Sequence, residues 1–359
     1  MHILSFSICK LYSFVVISMD NITHATLWWV LGGLAGFSKL GKKPFYRWML
    51  LANIPDIDVI VWPLLYGTSI DAQLFHRWMF HSFLFVIFLW PIVASVINRI
   101  HKGDRSTLWA WTLVAWVCMF SHLFLDLLTS YGTQVLWPFS HTPYSLNAIF
   151  IIDPLYTIPF VVFFVAALFA KRIVRTVRLS LTWLIISSLY IIASFVIKGY
   201  MHTVFADAAA EQWIHYTQLT TTPEALQIFL WKGMLINSWY VYQWWHSIWD
   251  MDDHVDFHTT SRDAAALDFA AHDTLVQTLL ARSRGYYSVS TGVDNYVYLH
   301  DMRFGTVNGW AHTGDTFMYS YSFVRSGNAA ILQPWYRSFG RSIGLRDVTD
   351  LWHRIRGEQ

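Results

Sequence analysis

The first 200 residues contain no glutamate and only 7 aspartates against 14 Lys/Arg, and charged residues make up 13% of the whole chain. An ordinary soluble domain carries about 25%, so a solvated surface over that stretch is excluded. Cysteine is nearly absent: Cys9 and Cys118 are too few for a disulfide framework, and Cys118, inside an apolar run, reads as a small buried hydrophobe. Residues 201–345 are without repeats or low-complexity tracts. There is no basic stripe interleaved with aromatics, and the net charge is +2, which argues against a nucleic-acid partner. Residues 1–18 lack the small-residue cleavage site of a secretory signal and read as an upstream extension, with Met19 as the working start.

What is present is apolar: 55% hydrophobic residues and 20 Trp. Apolar runs at 21–37, 45–66, 78–97, 108–128, 149–170 and 179–197 each approach the roughly 20 residues a helix needs to cross hydrocarbon. Six transmembrane helices are expected. The loops after the first, third and fifth runs carry Lys39, Lys42, Lys43 and Arg47, then Arg99, Lys102 and Arg105, then Lys171, Arg172, Arg175 and Arg178. The positive-inside rule makes these loops cytoplasmic and both termini extracytoplasmic.

Beyond residue 200 the balance reverses to 16 Asp/Glu against 11 Lys/Arg. Residues 203–219 and 262–282 read as amphipathic helices, the second capped by Ser261. Segments 286–291 and 296–303 flank a turn and read as a hairpin, with a further strand at 317–324. The apolar segment 226–245 is interrupted by Lys232, Asn237 and Gln243, which argues against a seventh span. The fold class expected is mainly α: a polytopic helical membrane domain over 19–200, then a small extracytoplasmic α+β domain over 201–345 and a tail over 346–359.

The organising stretch is Pro55-Asp56-Ile57-Asp58 within the second run. An ionised Asp near the bilayer centre costs about 2.5–3.5 kcal/mol, so a pair calls for a compensating cation. With the topology above, His24, His76, Arg77, His81, His122, Asp126 and Asp153 gather at the outer ends of the spans, while Asp56 and Asp58 lie within the second. His122 and Asp126, at i and i+4, project from one helical face and can grip one ion. His76 and His81 are too far round for one helix, which puts His76 in the loop entering the third span. Imidazole and carboxylate together suit zinc, with manganese or iron as alternatives, and the number of donors allows one or two ions. Arg77 is suited to an anionic substrate oxygen. His101, His141 and His202 read as packing or interfacial residues, Asp71 as a loop acid, and Asp153 before Pro154 equally as a ligand or a helix cap.

Asn21-Ile-Thr-His24, Pro55-Asp-Ile-Asp58, His76-Arg-Trp-Met-Phe-His81-Ser, Ser121-His-Leu-Phe-Leu-Asp126-Leu-Leu-Thr-Ser-Tyr-Gly132 and Trp137-Pro-Phe-Ser140, in this order, resemble the bacterial membrane-bound metal-dependent hydrolases, also described as LexA-binding and inner-membrane-associated. The resemblance covers about residues 19–170 and implies a helical membrane fold with metal-dependent hydrolase activity. A more distant similarity to zinc-dependent phospholipase C favours a phosphoester. Family members commonly carry Gly-Leu/Ile-Thr where this chain has Trp78-Met79-Phe80, which leaves the ligands but changes substrate contacts. LexA binding does not suit an outward-facing site and is not carried over.

The resulting expectation is an inner-membrane hydrolase in which His24, Asp56, Asp58, His81, His122 and Asp126 hold a divalent metal, His76 is a ligand or proton shuttle, and Arg77 clamps substrate. Its partners are the lipid bilayer and a lipid-like or phosphoester substrate. The rival readings are an ion or solute transporter, a metal-binding scaffold, and an adaptor whose outer domain binds a partner.

Overall fold

The structure, a computed structural model, describes residues 21–36, 39–41, 49–58, 76–292, 296–306, 309–310, 317–326, 329–332 and 345–358. The chain forms two compact units, Met1–Ala193 and Ser194–Gln359.

The first unit is helical. Helix α1 covers residues 21–36, and tight 3-10 turns follow at Met49–Asn53 and Pro55–Ile57. Another at Met79–His81 leads into α2 (Phe83–Ile100), followed by α3 (Arg105–Leu128), α4 (Pro154–Phe169) and α5 (Ile173–Glu211). Among the described residues three helices, α2, α3 and α5, are long and apolar enough to cross a membrane, and α4 is a shorter apolar helix. Their apolar side chains face outward as readily as inward: Phe88 is 67% exposed, Ile92 62% and Val196 68%. Such a surface suits lipid rather than water. The expected second span, 45–66, lies partly outside the described residues; its described part is 3-10 rather than α-helical.

Packing within this unit is specified by small residues and polar clips. Between α2 and α3, Asn98 Nδ2 donates to Gly103 O (3.2 Å) and Asp104 O (3.1 Å), while Thr107 Oγ1 donates to Asn98 Oδ1 (2.8 Å). A Cβ on Gly103 would lie 2.1 Å from Asn98 Oδ1 and 2.3 Å from Thr107 Oγ1, so a side chain there would have to displace this clip. Helix α1 is tied to α3 through the Cys118 thiol on Trp28 O (3.5 Å) and to α4 through Thr23–Thr157 (3.1 Å). Between α3 and α4 an irregular segment returns to the site, where Phe83 N–H donates to Val135 O (2.9 Å) and Gln134 N–H to Arg77 O (3.0 Å).

The second unit has two four-stranded antiparallel sheets, each in sequential order: β1 (Gln218–Pro223), β2 (Leu230–Ile236), β3 (Tyr240–Ser247) and β4 (His258–Ser261); then β5 (Tyr287–Thr291), β6 (Tyr296–Asp301), β7 (Ser320–Ser326) and β8 (Ala329–Leu332). Helices α6 (Thr274–Ser283) and α7 (Leu345–Ile355) accompany them. Met201, Val204, Phe205, Ala208 and Ala209 of α5 pack on Trp231 and Leu235. The Phe205 ring fills the place of a Gly233 side chain, since a Cβ there would be 2.4 Å from it.

The apolar segment 226–245, expected not to span the membrane, holds the β2–β3 hairpin; β2 is buried at all seven positions and so reads as a continuous apolar run. Two expectations change. The helix expected at 203–219 is the continuation of α5, which ends at Glu211 in a Schellman turn: Ile214 N–H reaches Ala209 O (2.9 Å) and Trp213, at φ 55°, reaches Ala210 O (3.2 Å). Ser261 does not cap a helix; it ends β4, and Ala264–Ala270 winds as 3-10 before Asp273 caps α6 through Leu275 N (2.9 Å) and Val276 N (3.3 Å).

Candidate metal centre

Four short pieces of chain supply the site, each for a local reason. Pro55 opens a single 3-10 turn that carries Asp56 and leads to Asp58. Arg77 adopts the left-handed conformation (φ 58°), which reverses the chain between His76 and the 3-10 turn ending at His81. Ser82 then caps α2 by accepting from Phe85 N (3.1 Å). His122 and Asp126 lie one turn apart on the buried face of α3, and His24 comes from α1.

Asp56, His81, His122 and Asp126 each direct a donor atom into one space, all within 4.8 Å of one another. His81 Nε2 is 3.1 Å from Asp56 Oδ1 and 3.3 Å from Asp126 Oδ2; His122 Nε2 is 3.8 Å from Asp56 Oδ2 and 3.5 Å from Asp126 Oδ2. Both ring nitrogens of His122 and Oδ2 of Asp56 are buried without a hydrogen-bond partner among the described residues. Unpartnered buried donors and acceptors are costly, and a divalent cation at their centre would satisfy them together. Three or four imidazole and carboxylate ligands form the set that zinc and similar ions take.

The remaining site residues surround this group. The His24 ring stacks on His122 with centroids 3.8 Å apart, and its Nε2 is 3.6 Å from Asp126 Oδ1. Asp58 accepts from the Arg77 main-chain N–H (3.2 Å), bonds His76 Nδ1 (2.8 Å), and lies 3.7 Å from His81 Nδ1. It therefore orients the histidines around the group. His76 also packs against Tyr131 at 5.3 Å. The Arg77 guanidinium is fully buried on Asp126 and Thr129. His76 and Asp56, with side chains 17% and 10% exposed, are the members that reach the surface.

Asp153 is a helix cap: its Oδ1 accepts from Leu155 N (3.0 Å) and Tyr156 N (3.2 Å), and Oδ2 accepts from Tyr190 OH (2.6 Å). His101 stacks on Trp111 and His141 lies against Trp78. Thr129 and Tyr131 were not singled out by sequence reasoning; the signal available was a hydroxyl at i+3 from Asp126 inside the Ser121–Gly132 motif.

The fold and this site define a helical membrane protein with an interior His/Asp group able to hold a metal ion. A family model described as YdjM inner membrane protein matches residues 19–201, about half the chain, and the chain belongs to that family. It is also 31% identical over 144 residues to an uncharacterized protein, YfhP, of Bacillus subtilis (strain 168); the match covers 38% of this chain and 42% of that protein. No solved structure matches.

Proposed function

We propose that this is an inner-membrane metal-dependent hydrolase acting on a phosphoester or other ester at the membrane surface. The observation that carries the reading is the convergence of Asp56, His81, His122 and Asp126, with buried atoms unpartnered, from segments far apart in sequence. A bound divalent ion, zinc before manganese or iron, would supply an activated water and polarise the substrate oxygen. Asp56, His81, His122 and Asp126 hold it, and His24 stacks behind His122 and fixes its ring. His76 carries protons between the site and solvent, oriented by Asp58. The packed helices keep bulk water from the rest of the group.

The site, both termini and the second unit are read as extracytoplasmic from the Lys/Arg distribution. A reporter fused after Gln359 should face outward and one placed in the 171–178 loop should face the cytoplasm; a cytoplasmic C-terminus removes the topology. For the activity, the purified chain is analysed for metal and assayed against a panel of phosphoesters and carboxylic esters. Hydrolysis that disappears together with metal in His122→Ala supports the reading. Metal without any turnover favours a transporter or scaffold.

A further inference from the structure

Arg77 makes contacts that a substrate-binding arginine has no reason to make. Its Nη2 lies 2.9 Å from Asp126 Oδ1, and its Nη1 donates to Thr129 Oγ1 (2.7 Å) and to the Asp126 carbonyl (3.2 Å). Thr129 Oγ1 in turn donates to the Asp126 carbonyl (2.8 Å). The main-chain N–H of Arg77 donates to Asp58 Oδ2 (3.2 Å), and its carbonyl accepts from Gln134 (3.0 Å). The side chain is fully buried, with its guanidinium carbon 5.3 Å from the Tyr131 ring centre.

The two oxygens of Asp126 are thereby given different neighbours. Oδ1 faces the guanidinium, with His24 Nε2 at 3.6 Å, whereas Oδ2 faces His81 Nε2 (3.3 Å) and His122 Nε2 (3.5 Å). We infer that Arg77 is a positioning residue that presents Asp126 to the ion through Oδ2 alone and, as the one guanidinium set against the charge of the site's carboxylates, sets the site for one divalent cation. This rests on reading the site as a metal centre. With the imidazoles of His24, His76, His81 and His122 neutral, as metal ligation requires of a ligating histidine, Asp56, Asp58 and Asp126 contribute three negative charges and Arg77 one positive, leaving two negative charges to be matched. One divalent ion neutralises the interior, and a second would leave two uncompensated positive charges where burial makes them costly. Lysine keeps the charge but lacks the planar fork that spans Asp126 Oδ1, the Asp126 carbonyl and Thr129 at once.

The test uses the full chain in detergent, stripped of metal and titrated with zinc and with cobalt(II). The expected stoichiometry is one ion per chain. Arg77→Lys should weaken zinc binding by about 10–100-fold, the range for groups that orient a ligand, and should shift the visible cobalt spectrum as Asp126 is released to turn. Thr129→Val should move both readouts in the same direction by less, and it carries the test if Arg77→Lys does not fold. A merely structural role would lower the yield of folded protein while leaving affinity and spectrum of the folded fraction unchanged. Two ions per chain, or unmutated affinity and spectrum in the folded variants, would overturn the inference while leaving the metal centre standing. If the unmutated chain binds neither ion, the hydrolase reading fails and this inference with it.

Discussion

In the first unit, buried acids and histidines crowd against one another from separate segments; in the second, the buried charges of Asp301, Arg303, Arg354 and Lys232 have protein partners. Asp301 and Arg303 form a fork with contacts of 2.6–3.2 Å, and Arg354 makes another on Asp250 at 2.6 and 2.8 Å. Lys232, whose pKa burial lowers, donates to Arg303 O (3.1 Å) beneath Gly305, where a Cβ would come within 2.7 Å of its Nζ. His300 is bracketed by Ser290 (2.8 Å) and Ser320 (2.7 Å). Burial of charge is thus not by itself a mark of a functional site. A site is marked where burial leaves several donors and acceptors aimed at a common point with nothing between them.

The largest test of this contrast is ligand removal. His81→Ala or Asp126→Asn should reduce metal affinity by more than the roughly 10–100-fold that orienting groups cost, measured as metal retained after dialysis, while Asp301→Asn should leave metal content unchanged. Equal losses would erase the difference between the units.

Next comes the apolar core of the second unit. Phe205→Ala removes the ring that fills the Gly233 space and should destabilise that unit by about 3–5 kcal/mol. Hydrogen exchange should rise across β2 and β3 with metal content intact.

A pH effect of similar size belongs to His300, whose pKa burial pushes down to about 4. The unfolded chain binds this proton near pH 6.5 and the folded unit does not, so stability falls as pH drops from about 6.5 toward 4, by up to about 3 kcal/mol. His300→Gln should flatten the pH dependence of thermal unfolding over that window; an unchanged slope rejects the assignment.

The smallest effect is at α6, where Asp273→Ala should cost about 1 kcal/mol by freeing two N–H groups. Ser261→Ala should do less to that helix, because Ser261 lies in β4. Local hydrogen exchange over residues 274–283 separates the two.

Several parts of this architecture were legible in the chain. The spacing of His122 and Asp126 is a property of one helix, and the alternation in β5 and β6 is a property of two strands, so local periodicity reveals both. Segment 226–245 was harder, because a strand buried on both faces loses the alternation that identifies it. The continuity of α5 was hidden for a different reason: the composition changes along it, from an apolar run to one carrying Asp207 and Glu211, without any break in the backbone.

Residue type and local spacing, written directly in the chain, made the first half apolar helices and supplied Asp56, His81, His122 and Asp126 as chemically apt donors. Which of those donors meet, which oxygen of Asp126 faces His81 and His122, and that Arg77 points at the protein depend on long-range packing. Arg77 and Asp126 are 49 residues apart, and no local propensity encodes a contact over that distance. It forms because the turn at Arg77, the cap at Ser82 and the packing of α2 on α3 close the loop between them, and burial then makes their pairing the way for both charges to leave water.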